Sequence, residues 1–181
     1  MNNNTLMDIL SENRYITDKH TDHHYVQEFY QPTFEKIQYQ KLNILEIGIW
    51  NGESLKLWHD FFTQSDIYGA DHFVRTPEQQ VRANLLGYNR IRGMRKLDTT
   101  EEKIKFDVQM DIIIDDGAHS PEAQIKTYHN SIHLLKEGGM YIIEDFREPI
   151  SSSTKMVMDA IPEMKLVPIK YKNEFLGVIN K

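Results

Sequence analysis

The sequence contains no cysteine in its 181 residues. This absence excludes disulfides and thiolate metal sites, and it leaves the redox compartment undetermined. The sequence also lacks an apolar run of membrane-spanning length, and its first residues, MNNNTLMDILSENRY, show no basic segment followed by an apolar stretch. We therefore expect a cytoplasmic protein with no membrane partner.

The sequence also has fewer basic than acidic residues. Lys and Arg number 21 against 27 Asp and Glu, which gives a formal net charge of −6, and no arginine-rich run occurs. Proteins that bind the phosphate backbone of nucleic acids ordinarily carry a basic patch. Bulk nucleic acid is therefore not an expected partner.

From residue 42 onward, short β-rich runs alternate with segments of helical period. This alternation is typical of a parallel sheet covered by helices. The predicted strands are Asn43–Ile47, Asp66–Ala70, Arg90–Met94, Asp111–Asp115 and Met140–Glu144. Two later runs, KLVPIKY and EFLGVIN, are joined at Lys172 and Asn173, and so short a connection predicts antiparallel pairing. We predict a single α/β domain over residues 1–181 with a doubly wound, Rossmann-like sheet.

The segments between the strands are predicted to be amphipathic helices. In SLKLWHDFF, the residues Leu55, Trp58 and Phe62 are three and four positions apart, so they share one helix face. A second helix, EAQIKTYHNSIHLLKEGG, is expected to end at Gly138 and Gly139. The first forty residues also read as helix, with Pro32 interrupting the pattern.

A glycine turn follows the first predicted strand, in NILEIGIWNGES. Gly48 and Gly52 would let a ligand approach the backbone, and the helix that follows would offer unpaired N–H groups. The dinucleotide motif G-x-G-x-x-G would need a glycine at Trp50, so NAD is disfavoured. Glu46 suits a ligand with a cationic end, such as S-adenosylmethionine, and Asp71 ends the second strand where an acid would meet ribose hydroxyls. The alternative is that both glycines only form a tight turn and that Asp71 only caps a helix.

Four carboxylates follow two strands that would be neighbours in a sheet of order 3-2-1-4-5. Asp115 and Asp116 come at the end of IIIDDGAH, and Glu144 and Asp145 at the end of YIIEDF. Such a cluster repels itself unless a cation is present, and oxygen ligands favour a hard divalent ion such as Mg²⁺. The alternative, in which these acids cap helices or meet lysines, would more easily explain Asp115 or Asp145 than all four.

A histidine follows the fourth strand after two small residues. His119 would therefore stand over the same edge of the sheet as the carboxylates, and histidine is the side chain that most readily accepts a proton near neutral pH. We predict a catalytic role for His119, with a purely structural role as the alternative.

Five segments of the sequence resemble a known family in their order and content: TDKHTDHHY, NILEIGIWNGESLKLW, IYGAD, IIIDDGAH and GGMYIIEDF. They are similar to class I methyltransferases of the metal-dependent macrolide sugar O-methyltransferase group and to related proteins often labelled cephalosporin hydroxylase. The resemblance implies S-adenosylmethionine over the glycine turn and a Mg²⁺ that binds two neighbouring sugar hydroxyls. It implies Asp116, Glu144 and Asp145 as metal ligands and His119 as the general base.

The resemblance also implies a sheet of order 3-2-1-4-5-7-6 with the last strand antiparallel, and a helical cap over the cofactor site from residues 1–40. The residues expected to contact the cofactor are Thr17, Lys19, Thr21, His23, Tyr25, Glu46, Gly48, Trp50, Asn51, Gly52, Ser54, Asp71, His72, Asp98 and Asp115. Asp22 is a further candidate in the same motif. For the motif TDKHTDHHY, the alternative is a zinc site formed by His20, His23 and His24.

Two departures from the family pattern matter for function. After the third strand the chain reads RGMRKLD where the family has a glycine, an acid and a glutamine, so Asp98 is a weak substitute for the adenine contact. The long segments that shape the acceptor pocket in the antibiotic enzymes are also missing, so the acceptor's identity does not carry over.

The predicted function is Mg²⁺-dependent transfer of a methyl group from S-adenosylmethionine to a hydroxyl of a sugar or another vicinal diol. The predicted partner is a small-molecule or glycan acceptor, and a homo-oligomer is left open. The alternatives are an S-adenosylmethionine-binding pseudoenzyme or interaction protein on the same fold, and a hydrolase or hydroxylase centre. A hydroxylase would need iron, typically from two histidines and a carboxylate, and no such set is evident at the strand ends.

Overall fold

A computed structural model describes residues 4–149 and 151–181; residues 1–3 and 150 of the predicted domain lie outside the described part. The strands are β1 (Asn43–Ile47), β2 (Asp66–Asp71), β3 (Ile91–Lys96), β4 (Met110–Asp115), β5 (Leu135–Phe146), β6 (Lys165–Ile169) and β7 (Glu174–Asn180). The helices are α1 (Leu6–Asn13), α2 (Asp18–Thr21), α3 (Gln31–Phe34), α4 (Glu53–Phe61), α5 (Glu78–Asn84), α6 (Pro121–Ser131) and α7 (Ser152–Ala160). A π-helical turn covers Val26–Tyr30, and 3-10 turns cover Ile132–Leu134 and Tyr171–Asn173.

The seven strands form one sheet in the order β3-β2-β1-β4-β5-β7-β6. The first five are parallel to one another, and β7 is antiparallel to both β5 and β6. The predicted order and the antiparallel pairing of the last two strands are therefore confirmed. The inner strands read as continuous apolar runs because helices cover both faces of the sheet and leave neither face to solvent.

One packing arrangement places the chain before β1 on the same face of the sheet as α4. Trp58 of α4 is fully buried, and the rings of Tyr30 and Phe34 pack edge-on against it at centroid distances of 5.1 and 5.7 Å. Leu6 and Ile9 of α1 belong to the same core. Apolar burial of this kind fixes the amino-terminal segment beside the carboxyl end of β1.

One of the expected helix boundaries is wrong. The helix α6 ends at Ser131, and Gly138 and Gly139 lie inside β5. Gly138 has a φ of +77°, and its N–H donates to the carbonyl of Lys181 at 2.7 Å, so the glycine pair shapes a strand next to the end of the chain. Pro32 lies where the π-helical turn Val26–Tyr30 passes directly into α3, so the helical hydrogen-bond pattern changes beside it, as the interruption predicted there suggests.

The parallel strands β1, β2, β4 and β5 end at one edge of the sheet, where the candidate site lies. An acidic residue is the last residue of β2 and of β4 and lies within two residues of the end of β1 and of β5, which brings side chains distant in sequence together. Within the described residues, no helix has both the length and the apolar character needed to cross a bilayer.

Candidate active site

The turn between β1 and α4 is held in shape by Asp71 at the end of β2. Its Oδ2 accepts hydrogen bonds from the N–H groups of Ile49 and Trp50 at 2.8 and 3.2 Å, and its Oδ1 accepts from Phe73 at 2.6 Å. Gly48 has a φ of +80°, and a Cβ there would lie 2.0 Å from the carbonyl oxygen of Asp116. The turn thus lies directly against the loop after β4, and only glycine fits at that contact.

A first cavity of about 300 Å³ opens above this turn. The residues lining it include Ile16, Thr17, Asp18, Gly48, Trp50, Asn51, Ser54, Asp71, His72, Arg75, Asp98, Thr99, Thr100, Asp116, Gly117, Ala118 and His119. The predicted cofactor contacts among them are Thr17, Gly48, Trp50, Asn51, Ser54, Asp71, His72 and Asp98. The other predicted contacts, Lys19, Thr21, His23, Tyr25, Glu46, Gly52 and Asp115, do not line it.

Several residues of the first cavity were not singled out in the sequence. Ile16 and Asp18 are the chain neighbours of Thr17, a predicted contact, and this adjacency could have identified them. Arg75 lies with its guanidinium 5.4 Å from the centre of the Trp50 ring, and Thr99 and Thr100 follow Asp98. A cation over an aromatic face is attracted by the ring's quadrupole, so this pair shapes one wall of the cavity.

Lys19 of α2 supplies the positive charge inside the carboxylate cluster. Its Nζ is fully buried and lies 2.5 Å from Asp116 Oδ2, 3.0 Å from Glu144 Oε2 and 3.2 Å from Glu46 Oε1. The hydroxyl of Tyr30 donates a further hydrogen bond to Glu144. The ammonium group that meets Glu46 is therefore that of Lys19, and the alternative in which the acids meet a lysine applies to Asp116 and Glu144.

The charges in this cluster are strongly coupled. Burial works against the charged form of Lys19, but attraction by Asp116, Glu144 and Glu46 outweighs it and raises the pKa of Lys19 well above its ordinary value. Burial raises the pKa of Glu144 and Glu46, against the opposing effect of Lys19, and raises that of Asp116 to about 7. One ammonium group thus serves three carboxylates, and the cluster retains an affinity for further positive charge.

Asp116, His119 and Asp145 form a second group beside this cluster. Each offers a ligand atom within 4.8 Å of the others, which makes them a candidate metal set within the described residues. His119 Nδ1 lies 3.0 Å from Asp145 Oδ2, and its side chain is half exposed. Glu144, the third predicted ligand, is not a member of the group, since Tyr30 and Lys19 engage its two oxygens.

An unusual backbone conformation turns Asp145 toward the group. Asp145 has a φ of +69°, and the pairing of β5 with β7 is irregular between Ile143 and Phe146. Strict strand alternation would send Glu144 and Asp145 to opposite faces, and this irregularity relaxes it. Burial would raise the pKa of Asp145, but the hydrogen bond from His119 and the charges nearby lower it to about 2. The same hydrogen bond raises the pKa of His119.

Asp115 is buried beneath the loop after β4. It accepts a hydrogen bond from the N–H of Gly117 at 3.2 Å and lies 3.5 Å from the hydroxyl of Tyr141. Burial raises its pKa to about 7. The structure therefore places Asp115 under the site, where it supports the loop that carries His119.

A second cavity of about 400 Å³ lies on the other side of His119. It is lined by Asp18, His23, His119, Pro121, Gln124, Asp145, Phe146, Arg147, Glu148, Ser151, Ser153 and Thr154. Asp18 and His119 line both cavities. The candidate metal group therefore lies where two cavities meet.

The three histidines of the amino-terminal motif point to separate partners. His20 Nδ1 lies 2.7 Å from Gln27, His23 Nδ1 lies 2.8 Å from Glu174, and the ring of His24 stacks on Tyr171. Within the described residues they do not form a metal group, so the zinc alternative has no support.

Comparisons with known proteins match the chain to sugar methyltransferases. It is 30% identical over 139 residues to the 8-demethyl-8-(2-methoxy-alpha-L-rhamnosyl)-tetracenomycin-C 3'-O-methyltransferase of Streptomyces olivaceus, covering 73% of this chain and 35% of that protein. It is 31% identical over 140 residues to the demethylmacrocin O-methyltransferase of Streptomyces fradiae, covering 73% and 34%. The chain thus spans about a third of the length of these curated relatives. No family model matches.

A comparison of structures identifies the fold. The MycE methyltransferase from the mycinamycin biosynthetic pathway, solved in complex with Mg and SAH, superposes with a TM-score of 0.69 at 21% identity and covers 98% of this chain and 55% of that one. Together with the strand order, this confirms the class I methyltransferase fold. The curated relatives confirm the resemblance to macrolide sugar O-methyltransferases.

Proposed function

We propose that this chain, whose fold is that of a class I methyltransferase, transfers a methyl group from S-adenosylmethionine to a hydroxyl of a sugar or another vicinal diol with the help of Mg²⁺. The observation that carries the proposal is the meeting of two cavities at Asp116, His119 and Asp145. A donor in one cavity and an acceptor in the other would place the reacting atoms side by side at that point.

The first cavity suits the donor. Its glycine turn leaves room for a ligand against the backbone, and the amino terminus of α4 supplies N–H groups. We assign the ribose to Asp71, which already holds the turn. The adenine end would lie beside Asp98, Thr99 and Thr100, which line the wall after β3. Residues 1–40 are proposed as a cap over this cavity, since Thr17 and Asp18 line it.

The oxygen ligands at the junction of the two cavities suit a hard cation. Asp116 and Asp145 offer carboxylate oxygens, which Mg²⁺ prefers. Both oxygens of Glu144 are engaged by Tyr30 and Lys19, so the proposal gives Glu144 the role of holding Lys19 in place. When bound, the metal would supply Lewis-acid charge that lowers the pKa of an acceptor hydroxyl, and the donor would supply the methyl group.

His119 is proposed as the general base. His119 Nδ1 lies 3.0 Å from Asp145 Oδ2, so the carboxylate favours a proton on Nδ1, and Nε2 is the nitrogen that would take the proton of the acceptor. Its side chain lines both cavities, so it can reach a hydroxyl presented from the second cavity. The oxygen left behind then attacks the methyl carbon in line, and positioning of the two ligands supplies much of the acceleration.

The acceptor is proposed to be a small molecule or glycan because the second cavity is lined largely by polar side chains such as Gln124, Ser151 and Ser153. These groups can exchange hydrogen bonds with the hydroxyls of a polyol. A second candidate function is donor binding without turnover. The charge of Lys19 favours it, because this ammonium group neutralises part of the carboxylate cluster and so competes with a metal for Asp116.

A labelled-methyl assay across a panel of sugars and glycans tests the proposal, with Mg²⁺ and with EDTA. We expect turnover that needs the metal, while calorimetry shows S-adenosylmethionine binding in both conditions, since the metal is assigned to the acceptor. Full turnover in EDTA would refute the metal role. Binding of a nicotinamide dinucleotide in place of S-adenosylmethionine would refute the donor assignment. Donor binding with no turnover on any acceptor would support the second candidate.

A further inference from the structure

We infer that Asp18 makes the site prefer the positively charged methyl donor over its neutral demethylated product. The inference rests on the proposed function, because it concerns how the donor is held. Asp18 lies at the amino end of α2 and was not among the residues singled out in the sequence.

The position of Asp18 is the first argument. Among the described residues, Asp18 and His119 line both cavities. A methyl group that moves from a donor in the first cavity to an oxygen in the second must cross between them. The sulfur that carries the methyl group therefore lies on the donor side of this passage, next to Asp18.

The second argument concerns charge. The other carboxylates around the passage have cationic or imidazole partners, since Asp116 pairs with Lys19 and Asp145 with His119. The ion pairs found among the described residues do not include Asp18, which accepts a hydrogen bond from the backbone N–H of Lys19 at 2.9 Å. Asp18 is half-buried, and its negative charge contributes to the raised pKa of Asp116. The charge of Asp18 therefore acts on groups at the junction of the two cavities.

The chemistry of the transfer supplies the third argument. The donor holds a sulfonium, with a positive charge on sulfur. As the bond from sulfur to the methyl carbon breaks, sulfur keeps the electron pair and becomes a neutral thioether, while the methyl carbon bonds to the acceptor oxygen and the hydroxyl proton passes to His119. A fixed carboxylate attracts the sulfonium and has no such attraction for the thioether. Asp18 would thus favour the donor over the product and help the product to leave.

Calorimetry on Asp18→Asn tests this inference without any turnover. Asparagine keeps the side-chain oxygen that accepts the Lys19 N–H, so the variant removes charge with little change of shape. The ligands are S-adenosylmethionine, S-adenosylhomocysteine and an analogue in which a protonated amine replaces the sulfonium. The matched control is Asp107→Asn, because Asp107 is an exposed acid that lines neither cavity.

We expect Asp18→Asn to weaken the binding of both cationic ligands about tenfold and that of the neutral product less than about twofold. The tenfold effect is smaller than that of a fully buried charge pair because solvent screens the partly exposed Asp18. Asp107→Asn should change the binding of none of the three ligands. The wild-type preference for the donor should also shrink as salt is raised, because Asp18 is partly exposed.

Equal weakening of donor and product would overturn the inference, since it would place the charge of Asp18 at the ammonium group that both ligands share. The inference would also be overturned if Asp18→Asn bound both S-adenosylmethionine and S-adenosylhomocysteine as tightly as the wild-type protein does. If the wild-type protein binds neither ligand, the proposed function itself fails, and the inference fails with it. Retained binding of S-adenosylhomocysteine by Asp18→Asn shows that the variant is folded.

Discussion

Replacing Lys19 by methionine should be one of the most destabilising single changes at the edge of the sheet. The substitution keeps the length of the side chain but removes the only ammonium group within reach of Asp116, Glu144 and Glu46 among the described residues. Because the Lys19 side chain is 1% exposed, water cannot replace the lost charge. The buried carboxylates of Glu46 and Glu144 and the 15% exposed carboxylate of Asp116 would then face one another without a counter-ion.

The magnitude follows from the cost of an unpaired buried charge. Removing one partner of a buried ion pair typically costs about 3–5 kcal/mol, against a total stability of about 5–15 kcal/mol for a domain. Lys136 provides the matched control, since its Nζ lies 2.8 Å from Asp111 but its side chain is 37% exposed. Lys136→Met should cost about 0–1 kcal/mol, as exposed ion pairs usually do.

The destabilisation should also depend on pH with a definite sign. Burial raises the pKa of Asp116, Glu144 and Glu46, and the loss of Lys19 would raise all three further. A carboxyl group whose pKa is raised on folding binds more protons in the folded than in the unfolded state, so its contribution to stability falls as pH rises. The deficit of Lys19→Met should therefore grow between about pH 5.5 and about pH 7.5.

Urea unfolding followed by circular dichroism, with EDTA present, measures these effects. Both variants and the wild-type protein are compared at the two pH values, and the midpoint and slope of each transition give the free energy of unfolding. The reasoning fails if Lys19→Met costs no more than Lys136→Met. It also fails if its cost stays the same as the carboxylates are protonated.

Two further predictions concern the base and the glycine turn. His119→Ala should lower kcat about 10²- to 10⁴-fold, remove the fall of the rate at low pH, and leave metal and donor affinity nearly intact. The control His129→Ala, which changes an exposed residue of α6, should alter none of these properties. A large loss of metal affinity in His119→Ala would make His119 a metal ligand instead of the base. Gly48→Ala should cost about 2–5 kcal/mol in chemical unfolding, because its Cβ would lie 2.0 Å from a backbone oxygen at a φ of +80°. Gly87→Ala has a similar φ of +95° with open space around it and should cost only about 1–2 kcal/mol; equal costs would contradict the steric argument.

The sheet could be predicted because its strands are nearly uniform in character. Runs such as Ile112–Ile114 are apolar on both faces and end in acids, which identifies both the strand and the edge at which it stops. Gly138 and Gly139 misled the prediction, because a glycine pair after a helical pattern resembles a helix end. Their true role depends on Lys181, whose backbone pairs with theirs and lies far away in sequence.

The carboxylate cluster could be predicted, but the group that neutralises it could not. Strand order brings Asp116 and Glu144 together. The alternation of strands and helices predicts the parallel sheet, and the resemblance to the methyltransferase family implies its order. Nothing local to Lys19 shows that its side chain crosses to those strands, since the contact depends on how the amino-terminal segment packs on α4. The motif predicted Lys19 as a cofactor contact, whereas in the structure its ammonium group is the counter-ion of the carboxylate cluster.

The short helix α2 does two things at once because neighbouring residues on a helix point in different directions. Lys19 extends inward to the buried carboxylates, and Asp18, one residue earlier, faces the two cavities. The segment just before it is anchored as well, since the hydroxyl of Tyr15 lies 2.7 Å from Asp60 and 2.8 Å from the hydroxyl of Tyr88. Residues 16–18, which line the first cavity, are therefore held from both ends. Because a turn fixed at both ends keeps its side chains in place before a ligand arrives, the charge of Asp18 is already positioned at the junction. The attraction that we infer between Asp18 and a cationic donor would therefore lose little free energy to ordering the chain.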